Sequence, residues 1–155
     1  MKIDLQQVEE AAKELYIRAL KLLPPDVKRG FDVLAAGESD AGARRTLGTM
    51  MKNIKVAEDT SNLLCQDTGI PIYNVTIGRG VEFAGSDGTS LKAAIRKGCE
   101  RATREHPLRS SIVHPLTRRN EHTSCGIGVP VIRIDFSGEG WIGSSPGGLR
   151  FGAGC

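Results

Sequence analysis

Residues 62–78 read NLLCQDTGIPIYNVTIG, and they mark the point where the chain changes character. Residues 62–69 show no helical period and end in Gly69, which lets the backbone turn tightly. Residues 70–77 predict a strand with Tyr73, Val75 and Ile77 on one face. The segment therefore predicts a turn from a helical region into the first strand of an α/β arrangement.

Three amphipathic helices are predicted before this segment. Apolar residues at three- and four-residue spacing predict a helix over residues 4–23, with Asp4 as N-cap and Gln7 completing a variant of the capping box. A second helix over 25–37 and a third over 40–59 show the same spacing. We expect each to bury one apolar face. In the second and third helices this face consists of Val27, Phe31, Leu34, Ala43, Leu47, Met50, Ile54 and Ala57.

After the segment, a loop leads to a fourth helix that ends near Glu105, and a second strand covers residues 129–136. The buried side of the helix is predicted to be Leu91, Ile95, Cys99 and Ala102, and that of the strand Ile132, Ile134 and Phe136. The fold class is therefore α/β, of an α+β-like kind. A helical N-terminal third is followed by a small mixed sheet with packed helices.

The last nineteen residues, 137–155, hold seven Gly and three Ser. Glycine is costly to order, so this composition predicts a loop, although residues 140–144 could pair as a hairpin with the strand before them. We interpret residues 1–146 as one domain and residues 147–155 as a Gly-rich tail that is truncated or altered.

Composition and charge exclude several classes of protein. The net charge is +3, no apolar run approaches the length of a membrane span, and the polar N-terminus is not a secretory signal. The four cysteines form no C-x-x-C pair, and without an export signal we expect reduced thiols in a cytoplasmic protein. The three histidines recur every eight residues, which fits no metal motif and favours polar loop positions.

Residues 92–119 carry eight basic and two acidic side chains, net +6. Such a stretch is typical of a solvated helix face or of an anion site. It contains no Phe, Tyr or Trp for base stacking, so nucleic-acid binding is the weakest interpretation. A non-catalytic anion-binding or regulatory module remains an alternative, and its candidate residues are Arg101, Arg104, Arg109, Arg118 and Arg119.

The loop Cys65-Gln66-Asp67-Thr68-Gly69 holds the residues best suited to chemistry. A thiol there could bind a soft metal or act as a nucleophile, beside an amide and a carboxylate. A structural alternative stays open, in which Cys65 is a buried free thiol and Asp67 bonds to its own backbone in a turn.

This loop resembles the cluster-binding loop of class I, iron–sulfur fumarate hydratases and of L-tartrate dehydratase alpha subunits. LRSSIVHPLTRRN, residues 108–120, and the strand VPVIRIDF follow in the family's order, so the resemblance covers roughly residues 5–146. The chain departs from the family's pattern at Glu121 and His122, where the family has small residues.

The resemblance implies a hydro-lyase that adds or removes water on a small C4 dicarboxylate, either fumarate/malate or tartrate. It implies a 4Fe–4S cluster held by three cysteines, of which Cys65 matches the first and the others lie outside this chain. Gln66 and Arg109 match substrate-binding residues, and Asp67 matches a catalytic acid or base. The expected partners are a C-terminal or beta-subunit domain, fused or separate, and the expected assembly is a homodimer or heterotetramer. We expect little hydratase activity from the isolated chain.

Overall fold

The computed structural model describes residues 2–65, 69–84, 88–110, 112–120, 122–138 and 149–154, of which 88–90 and 149–154 are described by backbone alone. The helices are α1 (Leu5–Lys21), α2 (Pro25–Gly37), α3 (Ala41–Asp59) and α4 (Gly88–Glu105). The strands are β1 (Lys2–Ile3), β2 (Ile72–Ile77), β3 (Glu82–Phe83), β4 (Val131–Phe136) and β5 (Leu149–Gly154). The predicted mixed α/β class with a helical N-terminal part is confirmed.

The chain divides into two compact units, and each is described by itself. Unit 1 comprises Met1–Ile17 and Asp67–Cys155, and unit 2 comprises Arg18–Gln66.

The sheet of unit 1 has the strand order β4-β2-β5. β2 pairs in parallel with β4, with Ile72 opposite Val131, and antiparallel with β5, with Ile72 opposite Gly154. A parallel pair needs a crossover connection, and α4 lies in the chain between β2 and β4 as that connection. β1 and β3 form a separate two-residue parallel ladder. The small mixed sheet that the sequence predicts is present.

The core of unit 1 forms where α1 and α4 meet the buried face of β2. Tyr73 and Val75 of β2 are fully buried, and the hydroxyl of Tyr73 donates a 3.0 Å hydrogen bond to the carbonyl oxygen of Ala12. The predicted buried side of α4 is confirmed. The N-cap is also confirmed, since the backbone N–H of Gln6 donates to the side chain of Asp4 at 3.0 Å.

Two expectations for unit 1 are wrong. Residues 149–154 were expected in a loop, but they form β5, because backbone pairing to β2 needs no bulky side chains. Phe136 was expected on the apolar face of the second strand, but it is 79% exposed at the end of β4. The candidate hairpin at 140–144 lies outside the described residues.

In unit 2 the predicted helices form, but most of their predicted apolar faces are not buried. α2 has no buried residue, and Ala57 is the one buried residue of α3. Leu34 is 60% exposed. Periodicity shows which residues share a helix face, but burial needs a further layer over it, and two paired helices of this unit cover only part of each other. A 2.7 Å ion pair between Lys28 and Glu58 links α2 to α3.

Candidate functional site

Cys65 lies in unit 2, after the end of α3. The residue before it is fixed twice: the backbone N–H of Leu64 donates to the carbonyl of Leu20 at 3.1 Å, and the side-chain amide of Asn53 donates to the carbonyl of Leu64 at 3.1 Å. Cys65 itself is exposed and forms no disulfide. The structural alternative, a thiol enclosed by its aliphatic neighbours, is therefore wrong for Cys65.

Gln66 and Asp67, the other two site residues predicted in this loop, lie outside the described residues. Cys65 belongs to unit 2 and Arg109 to unit 1. The family resemblance also leads us to expect that Cys65, Gln66, Asp67 and Arg109 approach one another around one concavity, and this stays a prediction.

Arg109 is exposed on the segment that follows α4, and its backbone is held on both sides. On one side, Leu108 is 7% exposed and its N–H donates a 2.7 Å hydrogen bond to the carbonyl of His106. On the other side, Ser110 is hydrogen-bonded to Asn120. A charged side chain on a fixed backbone is suited to binding an anion, since less freedom is lost when the anion binds.

Asn120 holds the Arg109 segment through a two-way contact with Ser110. The hydroxyl of Ser110 donates to the side-chain oxygen of Asn120 at 2.7 Å, and the amide nitrogen of Asn120 donates to the carbonyl of Ser110 at 2.9 Å. The same Asn120 oxygen accepts from the N–H of His122 at 2.7 Å. In the sequence, Asn120 was noted only as the last residue of the segment 108–120 that resembles the family. Its contacts come from tertiary pairing of a loop, which leaves no periodic signal.

A groove of about 550 Å³ lies beside this segment in unit 1. Ile112, His114 and Pro115 line one part of it, and Arg96, Cys125 and Ile127 line another. The guanidinium of Arg96 donates to the carbonyl oxygens of Gly126 at 3.2 Å and Val129 at 2.8 Å, so the loop is tied to α4. No sequence pattern predicted this groove.

Within the basic stretch of residues 92–119, Arg101 forms ion pairs with acidic side chains of α1 and α4. Its guanidinium donates to Glu9 at 2.8 Å, to Glu10 at 3.0 Å and to Glu105 at 2.8 Å. The hydrogen bonds from Arg101 and then from Lys13 lower the pKa of Glu105. Arg101, one of the five arginines of the anion-binding alternative, thus already forms ion pairs with three carboxylates.

The described part of the chain contains no cluster of three or more His, Cys, Asp or Glu side chains that could hold a metal ion. Cys65 has the chemistry of an iron–sulfur ligand, because the residue is exposed and its sulfur is outside any disulfide. Within that same part, no helix is both long and apolar enough to cross a membrane.

Comparison with known proteins shows the class to which this fold and its loop belong. The family described as "Fumarate hydratase (Fumerase)" matches residues 9–142, and the chain belongs to that family. The predicted resemblance is confirmed.

Three relatives show how much of a complete protein the chain represents. "Putative L(+)-tartrate dehydratase subunit alpha" of Methanocaldococcus jannaschii is 38% identical over 130 residues, covering 84% of this chain and 45% of the relative. "Putative fumarate hydratase class I" of Geobacillus stearothermophilus is 29% identical, covering 84% and 25%. "L(+)-tartrate dehydratase subunit alpha" of Escherichia coli is 28% identical, covering 76% and 38%. The chain thus spans less than half the length of these relatives.

Proposed function

We propose that this chain is part of an iron–sulfur hydro-lyase that reversibly adds water to, or removes it from, a small C4 dicarboxylate. The family match over residues 9–142 is the observation that carries the proposal. The relatives' names include both tartrate dehydratase and fumarate hydratase, so fumarate/malate and tartrate are both candidate substrates. Residues 1–146 would form the N-terminal part of the alpha-type domain, and 147–155 its Gly-rich tail.

The proposed cofactor is a 4Fe–4S cluster with Cys65 as one ligand. The exposed thiol at the end of a fixed backbone supports this role. The remaining ligands would come from outside this chain. When bound, such a cluster supplies a Lewis-acidic iron that polarises the hydroxyl and carboxylate of the substrate.

The chain's own residues would bind and orient the substrate. Arg109 would bind a carboxylate, because its planar guanidinium offers two parallel N–H donors to the two oxygens. Gln66 would hydrogen-bond to the substrate as a neutral group. Asp67 would accept or return the proton that is removed or added with water.

The proposed partners are the small dicarboxylate and a C-terminal or beta-subunit-type domain, either fused or separate. The alpha-subunit names of two relatives support a separate second subunit. A homodimer or heterotetramer is the proposed assembly, in the cytoplasm.

The experiment is anaerobic reconstitution of the assembled enzyme, followed by iron analysis and assays of malate and tartrate dehydration. Cys65→Ser should lower the iron content and abolish turnover, whereas Asp67→Asn should keep the iron and lose turnover. Cys155→Ser, which also removes one thiol, is the matched control and should change neither. Full iron loading and activity of the Cys65→Ser variant would overturn the proposal, as would turnover by the isolated chain comparable to that of the assembly.

A further inference from the structure

Two buried thiols of unit 1 face each other across the junction of α4 with the loop that follows Asn120. The sulfur of Cys99 lies 3.8 Å from the carbonyl oxygen of Ser124, and that of Cys125 lies 3.5 Å from the carbonyl oxygen of Arg96. Arg96 and Cys99 are on the same side of α4, and Ser124 precedes Cys125. Each thiol therefore reaches the backbone that carries the other thiol.

The two thiols also interact with each other, and this interaction shifts the pKa of both. The interaction with Cys99 lowers the pKa of Cys125, whereas burial and the negative charge of Glu100 raise it and the positive charges of Arg96 and Arg104 lower it, and the balance is a lowered pKa. The contact with Cys125, followed by burial, raises the pKa of Cys99. Cys125 is thus the thiol that ionises first, and Cys99 is held as its protonated neighbour.

Solvent access also favours Cys125 over Cys99 as the thiol that reacts first. Cys125 lines the groove of about 550 Å³ and is 5% exposed, whereas Cys99 has no exposed surface. A small reagent that enters the groove therefore meets Cys125 before Cys99. Neither thiol belongs to the residues of the proposed hydration reaction.

From this geometry we propose that Cys125 is a modification site for hydrogen peroxide, and that Cys99 resolves the product to a Cys99–Cys125 disulfide. In the first step the Cys125 thiolate attacks one peroxide oxygen, the O–O bond breaks, and the departing hydroxide takes a proton to become water. In the second step the sulfur of Cys99 displaces the hydroxyl of the sulfenic acid, which leaves with the Cys99 proton as water. The two thiols lose two electrons, and the peroxide is reduced to two waters.

The disulfide would link α4 covalently to the loop next to Asn120, which holds the segment of Arg109. A disulfide brings its sulfurs to about 2.05 Å, closer than any non-bonded contact, so the two thiols must rotate toward each other or the loop must move toward α4. This inference concerns unit 1 alone and does not depend on the proposed hydro-lyase activity.

The test uses the full chain with Cys65→Ser and Cys155→Ser, which leaves Cys99 and Cys125 as its two cysteines. The protein is treated with hydrogen peroxide, quenched with iodoacetamide and analysed by intact mass and peptide mapping. We expect a monomer that has lost two hydrogens and a cross-linked Cys99–Cys125 peptide. The same reaction in urea should be at least about tenfold slower, because the folded environment of the thiols is lost.

Two further variants separate the roles of the thiols. With Cys99→Ser added, Cys125 should accumulate as a sulfenic acid that dimedone traps. With Cys125→Ser added instead, Cys99 should remain reduced. Circular dichroism checks that both variants fold, and if either does not, the chain that keeps both thiols still decides the question. Two alkylatable thiols after peroxide treatment, or equally fast disulfide formation in urea, would overturn the proposal.

Discussion

Replacing Gly98 by alanine would place a methyl group where α4 passes closest to α1. A Cβ atom at this position would lie 2.3 Å from the carbonyl oxygen of Glu9 and 3.0 Å from both the Cβ of Ala12 and the backbone nitrogen of Lys13. The 2.3 Å neighbour is backbone, so no side-chain rotation relieves the contact. The two helices must separate, although the ion pairs of Glu9 and Lys13 with α4 hold them together.

The magnitude follows from two opposing effects. Alanine favours a helix over glycine by about 1 kcal/mol. Overpacking of a well-packed core costs about 1–3 kcal/mol, and a contact this short with backbone belongs at or beyond the upper end. We expect the Gly98→Ala variant to lose about 2 kcal/mol of its free energy of unfolding, which lowers Tm by roughly 4–8 °C for a chain of this size.

The assay is urea unfolding followed by far-UV circular dichroism, with a thermal melt on the same samples. Gly48→Ala is the control, because Gly48 also lies inside a helix but a Cβ there meets nothing within 4 Å. This control should be stabilised by up to about 1 kcal/mol through helix propensity alone. If Gly98→Ala were as stable as the wild type or more so, the close approach of α1 and α4 would be refuted.

Three other predictions concern side chains of the site and of the ion-pair network. In the assembled enzyme, Arg109→Lys should lower kcat/KM by a factor that corresponds to about 1–3 kcal/mol of lost transition-state stabilisation, because lysine keeps the charge but loses the two parallel N–H donors. An unchanged kcat/KM would remove Arg109 from the site. Asn120→Ala should lower the free energy of unfolding by about 0.5–1.5 kcal/mol, since it removes the side-chain hydrogen bonds to Ser110, and wild-type stability would show that the contact contributes nothing. Because Arg101 lowers the pKa of Glu105, the stabilisation from this pair is present above the ordinary carboxyl value of 4.5 and is lost as the pH falls through the lower folded value. Urea unfolding at neutral pH and below pH 4.5 should therefore show a smaller acid loss in Glu105→Gln than in the wild type, and equal losses would contradict this.

Local patterns predicted the helices and the central strand well. The apolar residues of α4 recur at helical spacing, and all four predicted buried residues, from Leu91 to Ala102, are buried. The alternation of Tyr73, Val75 and Ile77 likewise identified the buried face of β2. In both elements the partner layer lies in the same unit, so the pattern and the burial agree.

Only those residues of the candidate site that belong to a recognisable sequence motif were predictable. Cys65 and Arg109 came from the resemblance and are exposed, as binding residues need to be, and their roles stay predictions. The contact of Asn120 with Ser110 was not predictable, because the two residues approach through a loop that has no regular period. The same holds for the thiols of Cys99 and Cys125, which are 26 residues apart in the chain.

The sequence by itself determined the four helices, the strands β2 and β4 and the family, because each depends on spacing within a short segment or on ordered motifs. Tertiary structure alone decided which faces are covered, as the exposed side of α2 shows. It also decided that the glycine-rich residues 149–154 form an edge strand on β2, and that Arg101 bonds to the acids of α1. Backbone pairing and ion pairing depend on what distant segments bring within a few ångströms, and no local period records that distance.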